Sequence, residues 1–258
     1  MSPRACEVLK SVDVIACEDT RVTGILLSQL GITGKRLIAY HEHNKAASGN
    51  GILEMLKSGL SVAEVSDAGM PAISDPGADL ASLAAANGIE VSVIPGPSAV
   101  TAALSISGLD TRYFHFEGFL PSEGSKRRER LKALTLIGET IVLYEAPHRL
   151  KKLLDELVDA GFGYCRIALC RELTKKYEEV LRMTVSEAAS YYGSNEPRGE
   201  FCICLEPLEQ KTMVAAGDGT ALIALLKEKG MSSKDIAAVV SEYTGMNKKE
   251  AYKIASES

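Results

Sequence analysis

No stretch of the 258-residue sequence approaches the roughly 20 consecutive apolar residues that a bilayer-spanning helix needs. The opening residues MSPRACEVLKSVD carry charges where a signal peptide would have its apolar region. The expectation is a cytoplasmic protein without membrane contact. The six cysteines, at positions 6, 17, 165, 170, 202 and 204, form no C-x-x-C pair, and the histidines show no zinc-finger spacing. Reduced, mostly buried thiols follow, with neither a disulfide frame nor structural zinc. Positive charge is also short: a net charge of -5 argues against a protein that coats nucleic acid through its bulk field.

What is present is enough apolar material, 46% of the residues, for one large domain or two modest ones. Strand and helix patterns alternate over the first part. ACEVLKSV reads as a helix, VDVIAC as a strand, and GILLSQLG as a helix stopped by Gly31; LSVAEV is a strand, and DPGADLASLAAANG a helix with Asp75 as N-cap and Gly88 as stop. IEVSVI at 89–94 reads as the next strand, running into PGP and a helix capped by Ser98. Such repetition predicts a mostly parallel sheet covered on both faces. From about residue 112 four further strand-like runs appear, YFHFEGFLP, ETIVLYEAP, YCRIALCREL and FCICLEP, so a second α/β lobe is expected. Periodicity is lost over 207–220, before two or three short helices. The predicted organisation is an α/β domain at 1–109, a second at 110–207, and a linker with a helical appendage at 208–258.

Ligands of open parallel sheets bind where strands run into helices, which brings the loops SDAGMP (66–71) and PGPSA (95–99) together. Gly69 and Gly96 would let a ligand approach the backbone, and free N–H groups near Ser98 would face it. Neither loop matches G-x-G-x-x-G or G-x-x-x-x-G-K-[ST], so a small ligand lacking phosphates fits better.

The segments ACEDTR, AYHEHN, VSDAGMPAISDPG, IPGPSA, FEGFLP, YEAPHRL, RELTKKYEE and RGEF follow one another in this order over nearly the whole chain. In that order and spacing the sequence resembles the small-subunit ribosomal RNA methyltransferases of the tetrapyrrole methylase superfamily. The resemblance implies a two-domain α/β fold with a small C-terminal helical appendage, a homodimer, and S-adenosylmethionine held between the domains. It also implies 2′-O-methylation of a cytidine ribose in the small-subunit RNA. Carried onto this sequence, the cofactor positions are Asp67, Ala68, Gly69, Met70, Pro71, Ser98 and Ala99, with Leu120, Tyr144, Glu145, Leu173 and Gly199 from the second lobe. Leu120 or Leu173 could equally be core packing, and Asp67 is the foremost carboxylate for the methionine end. Family members begin with an extra strand and a loop of the type Pro-Thr-Pro-Ile-Gly-Asn-Leu. Neither is present here, and an upstream segment of about 15 to 25 residues is the expectation.

The chemistry asks for alignment of the ribose oxygen and removal of its proton. Glu18, Asp19 and Arg21 after one strand, or Arg171, Glu172 and Lys175 after another, are the candidates, with His148 a further possibility. His41 and His43 of HEHN would share a strand face, but two ligands make a weak site and no metal is expected. Charge is unevenly spread. Residues 110–182 hold 14 Lys and Arg against 12 Asp and Glu, while 1–109 hold 7 against 11. Within the basic stretch SKRRERLK, Lys126, Arg127, Arg128 and Arg130 are either a solvated helix face or a grip on RNA phosphates. The alternatives to the RNA enzyme are a tetrapyrrole C-methyltransferase and a non-catalytic RNA-binding remnant.

Overall fold

The computed structural model describes residues 1–41, 44–209 and 219–257. His43 and the stretch 210–218, part of the expected aperiodic linker, lie outside the described residues.

The first unit is built on β1 (Val14–Cys17), four apolar residues that are all buried. An unbroken apolar run of this kind suits a strand covered on both faces. It pairs in parallel with β2 (Arg36–Ala39) on one side and β3 (Val62–Val65) on the other. Alternate residues of β1 go to opposite layers. Ile15 and Cys17 meet Leu9 of α1 (Pro3–Ser11) and Leu27 of α2 (Thr20–Gln29). Ala16 meets Ile52 of α3 (Lys45–Lys57) and Leu80 of α4 (Ala78–Ala86).

Two expectations for this unit are corrected. Residues 89–94 form no strand: no ladder partner lies beside them among the described residues, and Val91 and Val93 stay 53% and 68% exposed. Extended chain without a partner has no sheet bonds to satisfy its N–H and C=O groups, so apolar alternation alone does not make it a strand. Asp75 does not cap α4 either. Gly77 occupies the N-cap position, and the Asp75 carboxylate instead accepts a 2.9 Å bond from the Ser66 hydroxyl.

The second unit holds β4 (Phe114–Phe119), β5 (Thr140–Glu145), β6 (Arg166–Arg171), β7 (Glu179–Thr184) and β8 (Phe201–Leu205) in the order β4-β5-β8-β6-β7. Only β4 and β5 are parallel. One face packs on α6 (Gly124–Leu134), α7 (Pro147–Asp159) and α8 (Val185–Ser194), where Leu134, Leu153 and Ala188 meet Ile141, Leu143 and Ile203. The other face is covered by α5 (Ala99–Ser107), whose Val100, Ala103 and Leu104 pack on Val142, Ala168 and three cysteines, 170, 202 and 204. Those thiols are free and buried, and burial pushes Cys170 up to about 11 and Cys204 up to about 12. The helix that follows the PGPSA loop thus packs on the second sheet.

The appendage consists of α9 (Gly219–Glu228), α10 (Ser233–Thr244) and α11 (Lys248–Glu257) around Ile223, Ile236, Val240 and Ala251. Ser232 caps α10, its hydroxyl accepting from the Asp235 N–H.

Candidate functional site

A cleft of about 990 Å³ opens between the two units, at the carboxyl ends of β3, β5 and β6 and the amino end of the antiparallel β8. That is the upper end of the range for a site holding one small ligand. Its floor on the first unit is the joined pair of loops. The Met70 N–H donates to the Pro97 carbonyl at 3.0 Å. A Cβ on Gly69, at φ 102°, would stand 2.8 Å from that same carbonyl oxygen, and one on Gly96 would stand 3.2 Å from the Met70 sulfur. Gly69 is therefore demanded by loop against loop, and Gly96 packs closely on the Met70 side chain.

Four non-glycine residues have positive φ among the described residues: Ala72, Ser74, Glu172 and Thr174. All four belong to the two loops that border the cleft, and Ser74, Glu172 and Thr174 line it. Each such conformation costs on the order of 1–3 kcal/mol and persists only when the surroundings impose it.

At the mouth the Lys175 ammonium donates to Glu172 at 3.0 Å and to Glu200 at 2.9 Å. The Glu200 N–H also bonds the Glu172 carboxylate at 3.1 Å. The ammonium and this N–H hold Glu172 below the usual carboxylate range, and the two carboxylates raise Lys175. Gly199 makes the arrangement possible, since a Cβ there would lie 2.5 Å from the Glu172 Cγ.

Of the cofactor positions predicted from sequence, Ala68, Gly69, Met70, Ser98, Ala99, Tyr144, Glu145 and Leu173 line the cleft. Four do not. Leu120, 2% exposed, is in the core beneath α6 and α7. Gly199 seats Glu172, and Pro71 lies outside the lining. Asp67 is turned toward the loop after β1, where burial and the Asp19 charge raise it, while Asp75 takes the place at the cleft wall. Burial, then the neighbouring Cys202 and Asp75, pushes the Tyr144 phenol up to about 12.

The catalytic candidates separate in the same way. Glu172 and Lys175 line the cleft; Glu18, Asp19 and Arg21 do not. Asp19 caps α2 through the Arg21 N–H at 2.8 Å and pairs with the Arg21 guanidinium at 2.6 Å, which holds it at about 2. Arg171 is a correction: the strand period sends Cys170 into the cleft and Arg171 to the opposite side, where it pairs with Glu179 at 3.0 Å in a separate small pocket. Sequence reasoning passed over Glu200, Phe119, Ile73 and Ser74, which line the cleft, and left His148 as an aside. RGE and GFLP were visible motifs, but the positive φ at Ser74 has no sequence signal.

The basic cluster divides. Arg127 is 1% exposed and bound to Glu156 at 2.6 and 2.8 Å and to the Pro121 carbonyl at 2.8 Å. It cannot reach a phosphate, and its role as an RNA contact is withdrawn. Buried beside it, Glu145 pairs with Arg149 at 3.0 Å, and Arg149 donates in turn to the Leu120 carbonyl. The pairs tie GFLP to YEAPHR. Burial raises Glu145 despite these cations. Arg130 is paired to Glu117. Lys126, Arg128 and the nearby Lys132 are exposed and make no ion pair among the described residues.

A family model for the tetrapyrrole (corrin/porphyrin) methylases matches residues 1–189. A ribosomal RNA small subunit methyltransferase I from Mesorhizobium japonicum is 41% identical over 97% of this chain and 84% of its own length. The chain belongs to the small-subunit ribosomal RNA methyltransferase I branch of the tetrapyrrole methylases. Its counterpart from Synechocystis sp. is 39% identical over 100% of this chain and 92% of its own. The fold is shared with a uroporphyrin-III C-methyltransferase from Thermus thermophilus complexed with S-adenosyl homocysteine, at TM-score 0.55 and 17% identity, over 80% of this chain and 90% of that one.

As a member of this branch the chain is a methyltransferase whose methyl donor is S-adenosylmethionine. The residues present suit that molecule. Ser98 occupies the N-cap of α5 without a side-chain capping bond, so the first-turn N–H groups of Ala99 and Thr101 are available to a carboxylate, while that of Val100 faces the Tyr144 hydroxyl. Tyr144 and Leu173 supply the apolar wall that an adenosine needs, and Asp75 a carboxylate for the amino group.

Proposed function

We propose that the enzyme methylates the ribose 2′-hydroxyl of a cytidine in small-subunit ribosomal RNA, acting in the cytoplasm as a homodimer on the assembled subunit. The observation that carries the reading is a cleft in a member of this branch whose mouth holds an ionised carboxylate and an ammonium side by side, Glu172 and Lys175. The sulfonium of the cofactor supplies a methyl group already activated for attack. The protein has to orient the hydroxyl and take its proton. Glu172, ionised at neutral pH, is the acceptor, and Lys175 beside it steadies negative charge as it develops on the ribose oxygen. Replacing Glu172 with Gln should lower the methylation rate by about 10²- to 10⁴-fold while cofactor binding persists. Lys126, Arg128 and Lys132 give the RNA phosphates a landing surface on α6.

The deciding experiment offers purified protein and S-adenosylmethionine to small subunits from a strain lacking the activity, and maps the methylated nucleotide by mass spectrometry. A new 2′-O-methylcytidine is the expected product. Methyl transfer to a base, or none to RNA and some to a tetrapyrrole, overturns the reading. Changing Lys126, Arg128 and Lys132 to Gln should flatten the salt dependence of RNA binding by roughly 0.7 to 0.9 log units per lost contact, with cofactor affinity unchanged.

A further inference from the structure

A ribose hydroxyl reaches a methyl donor inside a cleft only if its nucleotide leaves the stack, and a base that leaves the stack needs a replacement partner. One side chain at the cleft rim is built for that. Phe119 ends β4 and is 53% exposed although it is a phenylalanine lining the cleft. A regular strand would place Phe116 and Phe119 on opposite faces, because they are three residues apart. The β4–β5 register slips between Phe116 and Gly118, where Gly118 takes φ 69°. The bulge turns Phe119 to the side of Phe116, and both rings pack on Tyr144, with centroids 5.2 and 5.4 Å away. Bulges that re-aim a side chain are common beside active sites.

The same glycine admits the opposite wall. The Ser74 hydroxyl would lie 3.1 Å from a Cβ on Gly118, so the strained 72–74 loop of the first unit abuts the bulge directly. Ile73, between the two positive-φ residues of that loop, is also 53% exposed and lines the cleft. Phe119 and Ile73 thus form an apolar rim contributed by both units, outside the half-buried wall of Tyr144 and Leu173. Seven to 13 residues beyond Phe119 come the exposed cations of α6, at 126, 128 and 132.

We infer that Phe119 is the stacking platform for the extruded base of the target nucleotide, with Ile73 closing the other side. The inference rests on the RNA reading proposed above. Base–aromatic stacking is worth about 1–3 kcal/mol, or roughly 5- to 150-fold in affinity. Phe119→Ala should raise the KM for small subunits by about that factor, and S-adenosylmethionine affinity measured by calorimetry should stay within about twofold. Phe119→Trp should restore KM, whereas Phe119→Leu, apolar but without a π face, should not. Urea unfolding of each variant separates a folding defect from a binding one, and the folded Leu and Trp pair keeps the comparison available if the Ala variant is unstable. Full activity in the Leu variant reduces Phe119 to apolar filler and overturns the inference. So does a loss of cofactor affinity equal to the loss for RNA, which assigns the ring to the cofactor. Wild-type protein that leaves small-subunit RNA unmodified defeats the RNA reading and the inference together; active wild type with an unaffected Ala variant defeats the inference alone.

Discussion

The two sheets of this molecule are made to different standards of closure. In the second, β8 is buried at all five positions, and both faces carry continuous cores. In the first, β3 is only half covered at each of its four positions, and the neighbouring apolar residues Val91 and Val93 face outward. The difference extends to charge. The second unit buries charged groups in matched pairs, as with Arg127 and Glu156, whereas the first collects Glu18, Glu64, Asp67 and Asp75, where burial first, and then neighbouring carboxylate charge, raises Glu18, Glu64 and Asp67. The cleft lies where the two meet. A well-filled sheet supplies fixed walls, and the looser one supplies a strained loop that a ligand can press upon.

The largest effect should come from opening the second unit's ion-pair core. Arg127→Ala strands Glu156 and leaves the fully buried Glu145 with Arg149 as its one cation, and should cost about 3–5 kcal/mol in urea unfolding. Arg128→Ala, one residue along, should stay within about 0.5 kcal/mol. Equal costs for the two would abolish the distinction drawn between them.

Next in size is the apolar contrast. Leu153→Ala, at a site with no exposure, should cost about 2–5 kcal/mol. Val62→Ala on the half-covered β3 should cost about 1 kcal/mol. If thermal denaturation ranks Val62 with Leu153, the first sheet is as tightly filled as the second.

A stabilising change sharpens the comparison from the other side. Burial first, then the Asp75 and Glu18 charges, raises Glu64 to about 7, above its ordinary 4.5. The folded state therefore binds the proton more tightly, and stability falls as pH rises from about 4.5 to about 7. Glu64→Gln should be neutral near pH 4 and stabilise by on the order of 2 kcal/mol above pH 7. A gain independent of pH would mean that shape, and not charge, is what Glu64 brings to the first unit.

The smallest expected effect belongs to the appendage, which has a core of its own. Ser232→Ala removes the α10 cap and should cost about 1 kcal/mol, with amide exchange rising across α9 to α11 and leaving both sheets unchanged. Exchange that spreads into the second sheet would join the appendage to the main core.

Much of the fold was legible in sequence because the unbroken apolar run of a doubly covered strand and the 3.6 period of a helix are written directly in residues such as those of β1 and α7. Arg127 was legible in principle: with Leu131 and Leu134 it follows the i, i+4, i+7 spacing of one helix face, and all three are buried. Its charge outweighed its spacing in the reading. Residues 89–94 mark the opposite failure. Their alternation is genuine, but a strand is defined by its neighbour, and no property of the segment reports whether one is there.

By itself the sequence determined which segments are strands and helices wherever the period was backed by neighbours. Through the order of eight motifs it also determined the family and hence the methyl donor. Tertiary structure decided which of the motif residues face the cleft. Asp67 and Asp75 sit in one loop and carry the same chemistry, yet only Asp75 reaches the wall; Arg127 and Arg128 are adjacent, yet one is core and the other surface. The reason is that direction is a long-range property. A bulge at Gly118, a loop pressed on another loop, or a buried glutamate across the fold sets where a side chain points, and none of these is local to the residue it aims.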